Sequence, residues 1–261
     1  MLLIKAGGSA LTDKSIPYSF REPVVHALAG QLRRICEPLI LAHGVGSFGH
    51  PPAKQYRIGL GDDATPDRRL GLAITQYWVD ELAQRVIKIL IDARLPALLT
   101  AADMLFVTED RRIVDFHAEP IQRCLTMNLI PVLHGDGPLD RRQGFSVLSA
   151  DQIVIYLARF FTARKVIFAM DVPGILRNGR PIPRLSFREL PTVQKEILSS
   201  QDASGGLAKK LEEIGALAGT GIDVQLVSLL EPDALLAAAH NQERGTLISD
   251  QHLCKEEPYE G

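Results

Sequence analysis

The sequence predicts an α/β protein, an open three-layer α/β/α sandwich around a mainly parallel central sheet. Two observations carry that prediction. Short apolar runs alternate along the chain with stretches of helical period, the pattern of strands covered on both faces by helices. Several of the apolar runs also exit into glycine-bearing turns, as strands of an open parallel sheet do at the edge where ligands bind. No proline-, serine- or glycine-rich linker, internal repeat or low-complexity segment divides the 261 residues, so one domain spanning 1–261 is expected.

Taken in order, the apolar residues 2–4 read as the first strand, ending in Lys5-Ala6-Gly7-Gly8-Ser9. Residues 22–37 carry Val25, Leu28, Leu32 and Cys36 on one helical face, and Pro38 stops that helix. Residues 39–42 are a buried-strand candidate, followed by His43-Gly44-Val45-Gly46-Ser47-Phe48-Gly49-His50. A long helix is predicted from 67 to about 95, with Leu70, Ile74, Tyr77 or Trp78, Leu82 and Val86 recurring at its period. Residues 129–133 read as a strand closed by His134-Gly135-Asp136-Gly137, and residues 149–161 as a helix. The run 165–169 is a strand leading into Met170-Asp171-Val172-Pro173-Gly174. A helix at 207–218 opens just after Ser204-Gly205-Gly206, and 223–228 and 245–248 complete the strands. The polar tail 254–261 is expected to fray.

Composition narrows the function classes. Hydrophobic residues make up 46% and charged residues 23%, enough for a packed core and incompatible with disorder or a collagen-like chain. Lys and Arg number 29 against 31 Asp and Glu, a net charge of -2, so no nucleic-acid partner is expected. Cys36, Cys124 and Cys254 are far apart and form no CxxC pair, which argues against a zinc ribbon or a redox dithiol. No apolar run reaches the ~18 residues a membrane span needs, and Lys5 interrupts the apolar start where a signal peptide would continue. A soluble, cytoplasmic protein with no membrane partner is the expectation.

The chemistry is concentrated in three glycine turns, each with a basic side chain. Gly7 and Gly8 allow backbone N–H groups to approach an anion, with Lys5 before them and Lys14 a short loop beyond. Three glycines in 44–49 point to close backbone approach, and His50 ends that turn. Gly205 and Gly206 open a helix, whose N-terminus attracts anions, with Lys210 one turn further on. Three such turns together suggest a site for several phosphates. Asp136, Asp151 and Asp171, near strand or helix ends, are the acidic candidates for holding a magnesium-loaded nucleotide.

These motifs resemble the amino acid kinase superfamily and, within it, the isopentenyl phosphate kinase family. The start 4–9, the segment Thr12-Asp13-Lys14, the His43-to-His50 loop, Gln55-Tyr56-Arg57-Ile58-Gly59, the helix around Gln76-Tyr77-Trp78, Gly135-Asp136, the 202–206 turn with Lys210, and Gly245-Thr246 match in order over nearly the whole chain. The family usually has glycine at Ala150, a Thr-Asp-Val-Asp-Gly motif at 169–174, and Asp-Val-Thr-Gly-Gly at 202–206, so the chain departs at those positions. The resemblance implies an amino acid kinase-like fold with the acceptor bound mainly by the N-terminal part and the nucleotide mainly from about 165 onward. It implies ATP and Mg²⁺ as cofactors and isopentenyl phosphate as substrate. Transfer of phosphate to a phosphate, for isoprenoid precursor synthesis in the mevalonate pathway, would be carried out by a homodimer. Lys5, Lys14 and His50 would be catalytic. Lys5, Ala6, Gly7, Gly8, Ser9, Gly46, Asp171, Gly206 and Lys210 would bind the nucleotide. Val45, Gly49, His50 and Ala150 would bind the acceptor, and no residue is assigned to a metal. Rival readings are a fosfomycin-type phosphonate kinase, a kinase for an amino-acid carboxylate or a nucleotide, and a non-catalytic nucleotide or anion sensor.

Overall fold

The computed structural model describes residues 1–63, 65–199 and 205–250; Asp202, Ala203, Ser204 and the 254–261 tail lie outside the described residues. The central sheet has eight strands in the order Arg184–Leu185, Thr246–Ile248, Asp223–Ser228, Lys165–Met170, Leu2–Ala6, Leu39–His43, Ile130–His134 and Ala97–Leu99. Neighbours run parallel except where Thr246–Ile248 meets Asp223–Ser228. Four central strands, Leu2–Ala6, Leu39–His43, Ile130–His134 and Lys165–Met170, are buried at every position. Burial on both faces requires a nearly continuous apolar run, which is why these strands are legible as short apolar blocks.

Alternation along each strand still sorts side chains by layer. Leu2, Ile4 and Ala6 pack with Val25, Leu28, Leu82, Val86 and Leu235, from helices Glu22–Leu32, Pro66–Asp92 and Ala234–Ala239. Leu3 belongs to the opposite core, with Ile153, Leu157, Leu211 and Ile214 of helices Ala150–Phe160 and Gly205–Gly215. Lys5 shares the parity of Leu3, so its side chain is delivered to that second layer. Ala6 stands opposite both His43 and Ala169, and His43 opposite His134, so the turns that follow these strands leave from one edge.

The long helix Pro66–Asp92 starts on Pro66 with Asp67 in its first turn, both favourable there. It buries Gly71, Thr75, Val79, Leu82, Ala83, Val86, Ile87 and Leu90. The apolar stripe expected from the sequence holds only in its second half, because Leu70 and Tyr77 are 56% and 63% exposed. Close packing is the reason: a Cβ on Gly71 would stand 2.1 Å from Tyr56 Cβ, so the small residues turn inward and the large ones outward. Several elements have no clear counterpart in the sequence reading. They are the helices Gly46–Gln55, Glu119–Thr126, Leu190–Ser199 and Ala234–Ala239, and a small sheet built from Arg112–Phe116, Phe106–Glu109, Leu139–Asp140 and Gly144–Phe145. Among the described residues no helix is long and apolar enough to cross a membrane.

Candidate active site

The first two glycine turns interlock. A Cβ on Gly8 would stand 2.5 Å from Gly46 N, and one on Gly44 would stand 2.7 Å from Gly8 N. Gly46 adopts φ 47, a left-handed conformation natural to glycine, and a Cβ there would stand 2.1 Å from Thr12 Oγ1. Thr12 fastens the junction: its hydroxyl donates to Gly8 O at 2.7 Å and accepts from Ser47 N at 2.9 Å. Thr12 is fully buried, and sequence reasoning passed over it as part of a lysine motif. The helices Gly8–Leu11 and Gly46–Gln55 therefore begin side by side at the strand ends.

The helix Gly205–Gly215 joins them through a buried ion cluster that includes its Lys210. Lys5 Nζ lies 3.0 Å from Asp151 Oδ1, and Lys210 Nζ lies 2.7 Å from Asp151 Oδ2. Ser149 caps the helix that presents Asp151, in a capping box with Gln152, and the acid sits in the favourable first turn. Burial alone would raise the Asp151 carboxyl, but Lys5 and Lys210 hold it down at about 2. Burial, then Lys5, push Lys210 down to about 8 against the pull of Asp151. Lys210 also lies 4.6 Å over the Phe168 ring, a further favourable contact for a cation. Two lysines on one carboxylate leave a net positive charge at the edge where the helices start.

Of the other residues the resemblance implies for the nucleotide, Gly7 N donates to Ala169 O at 2.7 Å, which fixes the turn after Ala6. Ser9 Oγ donates to Asp171 Oδ1 at 2.8 Å across the two strand exits. Gly206 is exposed at the start of its helix, with open space where a Cβ would stand.

Of the residues the resemblance implies for the acceptor, Val45 and Ala150 meet at Gly135, and Gly49 packs on Val45. A Cβ on Gly49 would stand 2.6 Å from Val45 Cγ2, and one on Gly135 would stand 3.3 Å from both Val45 Cγ1 and Ala150 N. His50 is exposed. Its pKa is lowered, first by loss of solvent around the ring and then by the charges of Lys14 and Lys5. Those two ammonium groups are thus within electrostatic reach of the imidazole. Lys14 is exposed and makes no ion pair or hydrogen bond among the described residues.

The acidic candidates separate. Asp171 is exposed beside the phosphate-side turn. Asp136, by contrast, is not a free carboxylate: it is buried, and its oxygens accept from Asp103 N at 3.0 Å and Gly137 N at 2.8 Å. Asp151 is the shared counter-ion of Lys5 and Lys210. At the ends of strands Leu39–His43 and Ile130–His134 lie two fully buried histidines with rings 5.6 Å apart. Burial drives His43 down to about 3, so it is neutral. Burial also opposes charge on His134, yet Asp80 at 3.2 Å and Asp136 at 3.7 Å outweigh it and raise its pKa. No spacing in the sequence signals this pair, because Asp80 comes from the long helix and meets His134 only in the fold.

The fold and the cluster of glycine turns and lysines define a phosphoryl-transfer class of protein. A model of the amino acid kinase family matches residues 1–228, and the chain belongs to that family. It is 31% identical to the isopentenyl phosphate kinase of Methanocaldococcus jannaschii over 226 residues, 82% of this chain and 86% of that protein. With the isopentenyl phosphate kinase of Methanothermobacter thermautotrophicus it shares 30% identity, covering 97% of this chain and 100% of that protein. A solved structure of an isopentenyl phosphate kinase superposes with a TM-score of 0.81 at 29% identity, covering 95% of this chain and 100% of that one.

Proposed function

We propose that this chain transfers the γ-phosphoryl group of ATP to isopentenyl phosphate, giving isopentenyl diphosphate and ADP. The observation that carries the reading is His50, exposed at the end of the second glycine turn and within the field of Lys14 and Lys5. An acceptor phosphate held by His50 would sit beside the positive edge formed by Lys5, Asp151 and Lys210. Its lowered pKa favours the neutral imidazole, which offers one N–H donor and leaves charge neutralisation to the lysines.

The acceptor is a phosphate monoester with a second pKa of about 6, so near neutral pH its attacking oxygen is already ionised and no general base is needed. That oxygen bonds to the γ-phosphorus while the bond to the bridging oxygen breaks and ADP leaves with the electron pair. Positioning and electrostatic stabilisation carry such transfers. Lys5 and Lys210 would meet the nucleotide phosphates together with the N–H groups of Gly7, Gly8, Ser9 and Gly46, and Lys14 would meet the transferring group. Magnesium fits as a companion of the nucleotide. Among the described residues no three-residue metal cage occurs, but Mg²⁺ at kinase sites takes one or two carboxylates plus phosphate oxygens, and Asp171 is the exposed carboxylate available. When bound it would neutralise phosphate charge. We extend the reading to a cytoplasmic homodimer serving isoprenoid precursor synthesis by the mevalonate route; sedimentation checks the dimer.

Coupled ADP release over a panel of acceptors, including isopentenyl phosphate and a phosphonate of the fosfomycin type, tests the reaction. Turnover on the phosphonate alone, or none on any acceptor, sinks it. Lys14→Ala should lower kcat by about 10²-fold with ATP affinity little changed. His50→Ala should raise the acceptor KM, a loss of roughly 1.5–3 kcal/mol in kcat/KM, and His50→Gln should recover part of it.

A further inference from the structure

Lys14 has no partner among the described residues to hold it, so its place depends on the loop that carries it. That loop closes on itself: Ser19 Oγ accepts from Asp13 N at 2.7 Å and donates to Asp13 O at 3.0 Å, and Asp13 Oδ1 accepts from Ser15 N at 2.9 Å. It is also hung on the acceptor helix Gly46–Gln55 at Ser47. Ser19 N donates to Ser47 Oγ at 3.1 Å, and Tyr18 N donates to Ser47 O at 3.1 Å. Ser47 O is free for that bond because the residue four places on is Pro51, which has no N–H to offer it. Tyr18 itself sits at φ 57, a left-handed conformation that is a genuine outlier for a bulky side chain. Ring packing compensates. Its ring lies 4.0 Å from that of Trp78 and meets Phe48 edge-on at 5.9 Å. Trp78 belongs to the long helix and Phe48 to the helix that carries His50.

We propose that Tyr18 is a positioning residue for phosphoryl transfer: clasped between Trp78 and Phe48, it fixes the 13–19 loop so that Lys14 stands over the acceptor held at His50. The inference rests on the kinase reading and deepens it. Tyr18 touches neither substrate nor the reacting atoms; it acts through Lys14. Its hydroxyl has no part, since no hydrogen bond involves it among the described residues. The aromatic face and the strained backbone do the holding.

Trp78 is the chain's one tryptophan, so its emission reports the clasp directly. Tyr18→Phe should keep both kcat and the emission spectrum. Tyr18→Ala and Tyr18→Gly should shift Trp78 emission to the red as water reaches the indole. Both should lower kcat by about 10²-fold, the scale of a misplaced catalytic group, with the KM for ATP unchanged. The decisive measurement is the double variant: in a Lys14→Ala background, Tyr18→Ala should cost almost nothing further in kcat. Multiplicative losses would overturn the proposal, as would a raised acceptor KM at normal kcat, which would make Tyr18 a wall of the acceptor site. Circular dichroism separates these results from unfolding, with Tyr18→Gly free of the backbone strain if Tyr18→Ala is unstable. A wild-type protein that turns over no acceptor defeats the kinase reading, whereas an active wild type with an unperturbed Tyr18→Ala defeats the clasp.

Discussion

At the scale of single residues, Asp151 organises the site. It is a buried carboxylate shared by Lys5 and Lys210, at 3.0 and 2.7 Å. Removing one member of a buried ion cluster leaves the others uncompensated, which typically costs about 3–5 kcal/mol. Asp151→Asn should therefore lose stability of that order in urea titration; a loss below ~1 kcal/mol would show that water solvates the lysines. Lys210 carries a second prediction. With its pKa lowered to about 8, its charge is complete below that pH and is lost as pH rises through it. ATP affinity should fall above pH 8 in the wild type, and Lys210→Arg, charged throughout, should remove the break. A wild-type affinity flat from pH 7 to 9 would separate Lys210 from the nucleotide. None of this pairing is visible in the sequence, where Asp151 is simply an acid near a helix start. The parity of Lys5 with Leu3 is the one clue that it faces the layer of Ala150–Phe160.

At the scale of elements, the glycine turns divide into those the fold needs and one that a ligand would need. Gly46 combines φ 47 with a Cβ position 2.1 Å from Thr12 Oγ1 and 2.7 Å from Gly8 O, so Gly46→Ala must push two turns apart. We expect it to abolish most activity and to destabilise the fold together. Among the described residues nothing lies within 4 Å of a Cβ on Gly206, and in a helix alanine is favoured over glycine by about 1 kcal/mol. Gly206→Ala should thus hold or raise Tm while raising the KM for ATP, because only an approaching nucleotide would meet the new methyl group. An unchanged KM would take Gly206 out of the nucleotide side. These turns are legible in the sequence because a need for glycine is written locally. The helix Gly46–Gln55 is not, since two glycines, Pro51 and Pro52 read as a loop; the Ser47 carbonyl that Pro51 leaves unpaired is answered from elsewhere, by Tyr18 N. The short strands of the small sheet are likewise hidden, being only two to five residues long.

At the scale of the whole molecule, parallel strands in common register bring the turns after Ala6, His43, His134 and Met170 to one edge, and that much follows from alternating apolar and amphipathic runs. What tertiary packing adds is a buried polar layer under that edge, and it should govern how stability responds to pH. His43, fully buried, is held at about 3 against an ordinary 6.5. Unfolding therefore takes up a proton there, and the folded state loses stability as pH falls from 6.5 toward 3. Asp136 has the opposite sign. Burial first, then the charge of Asp103, raise its pKa from 3.8 to about 6 against the pull of His134. Its contribution is complete below 3.8 and is lost as pH rises through 6, so acidification stabilises the fold across that window. Each slope approaches ~1.4 kcal/mol per pH unit, and between pH 6 and 4 they oppose one another. His43→Asn, which keeps a donor near the Nδ1 position, should gain stability relative to the wild type as pH falls from 6 to 4. Asp136→Asn should lose it over the same range. Denaturant titrations of the three proteins at pH 4, 5 and 6 decide the matter; parallel curves would mean that neither buried group stays in its shifted state in the native protein.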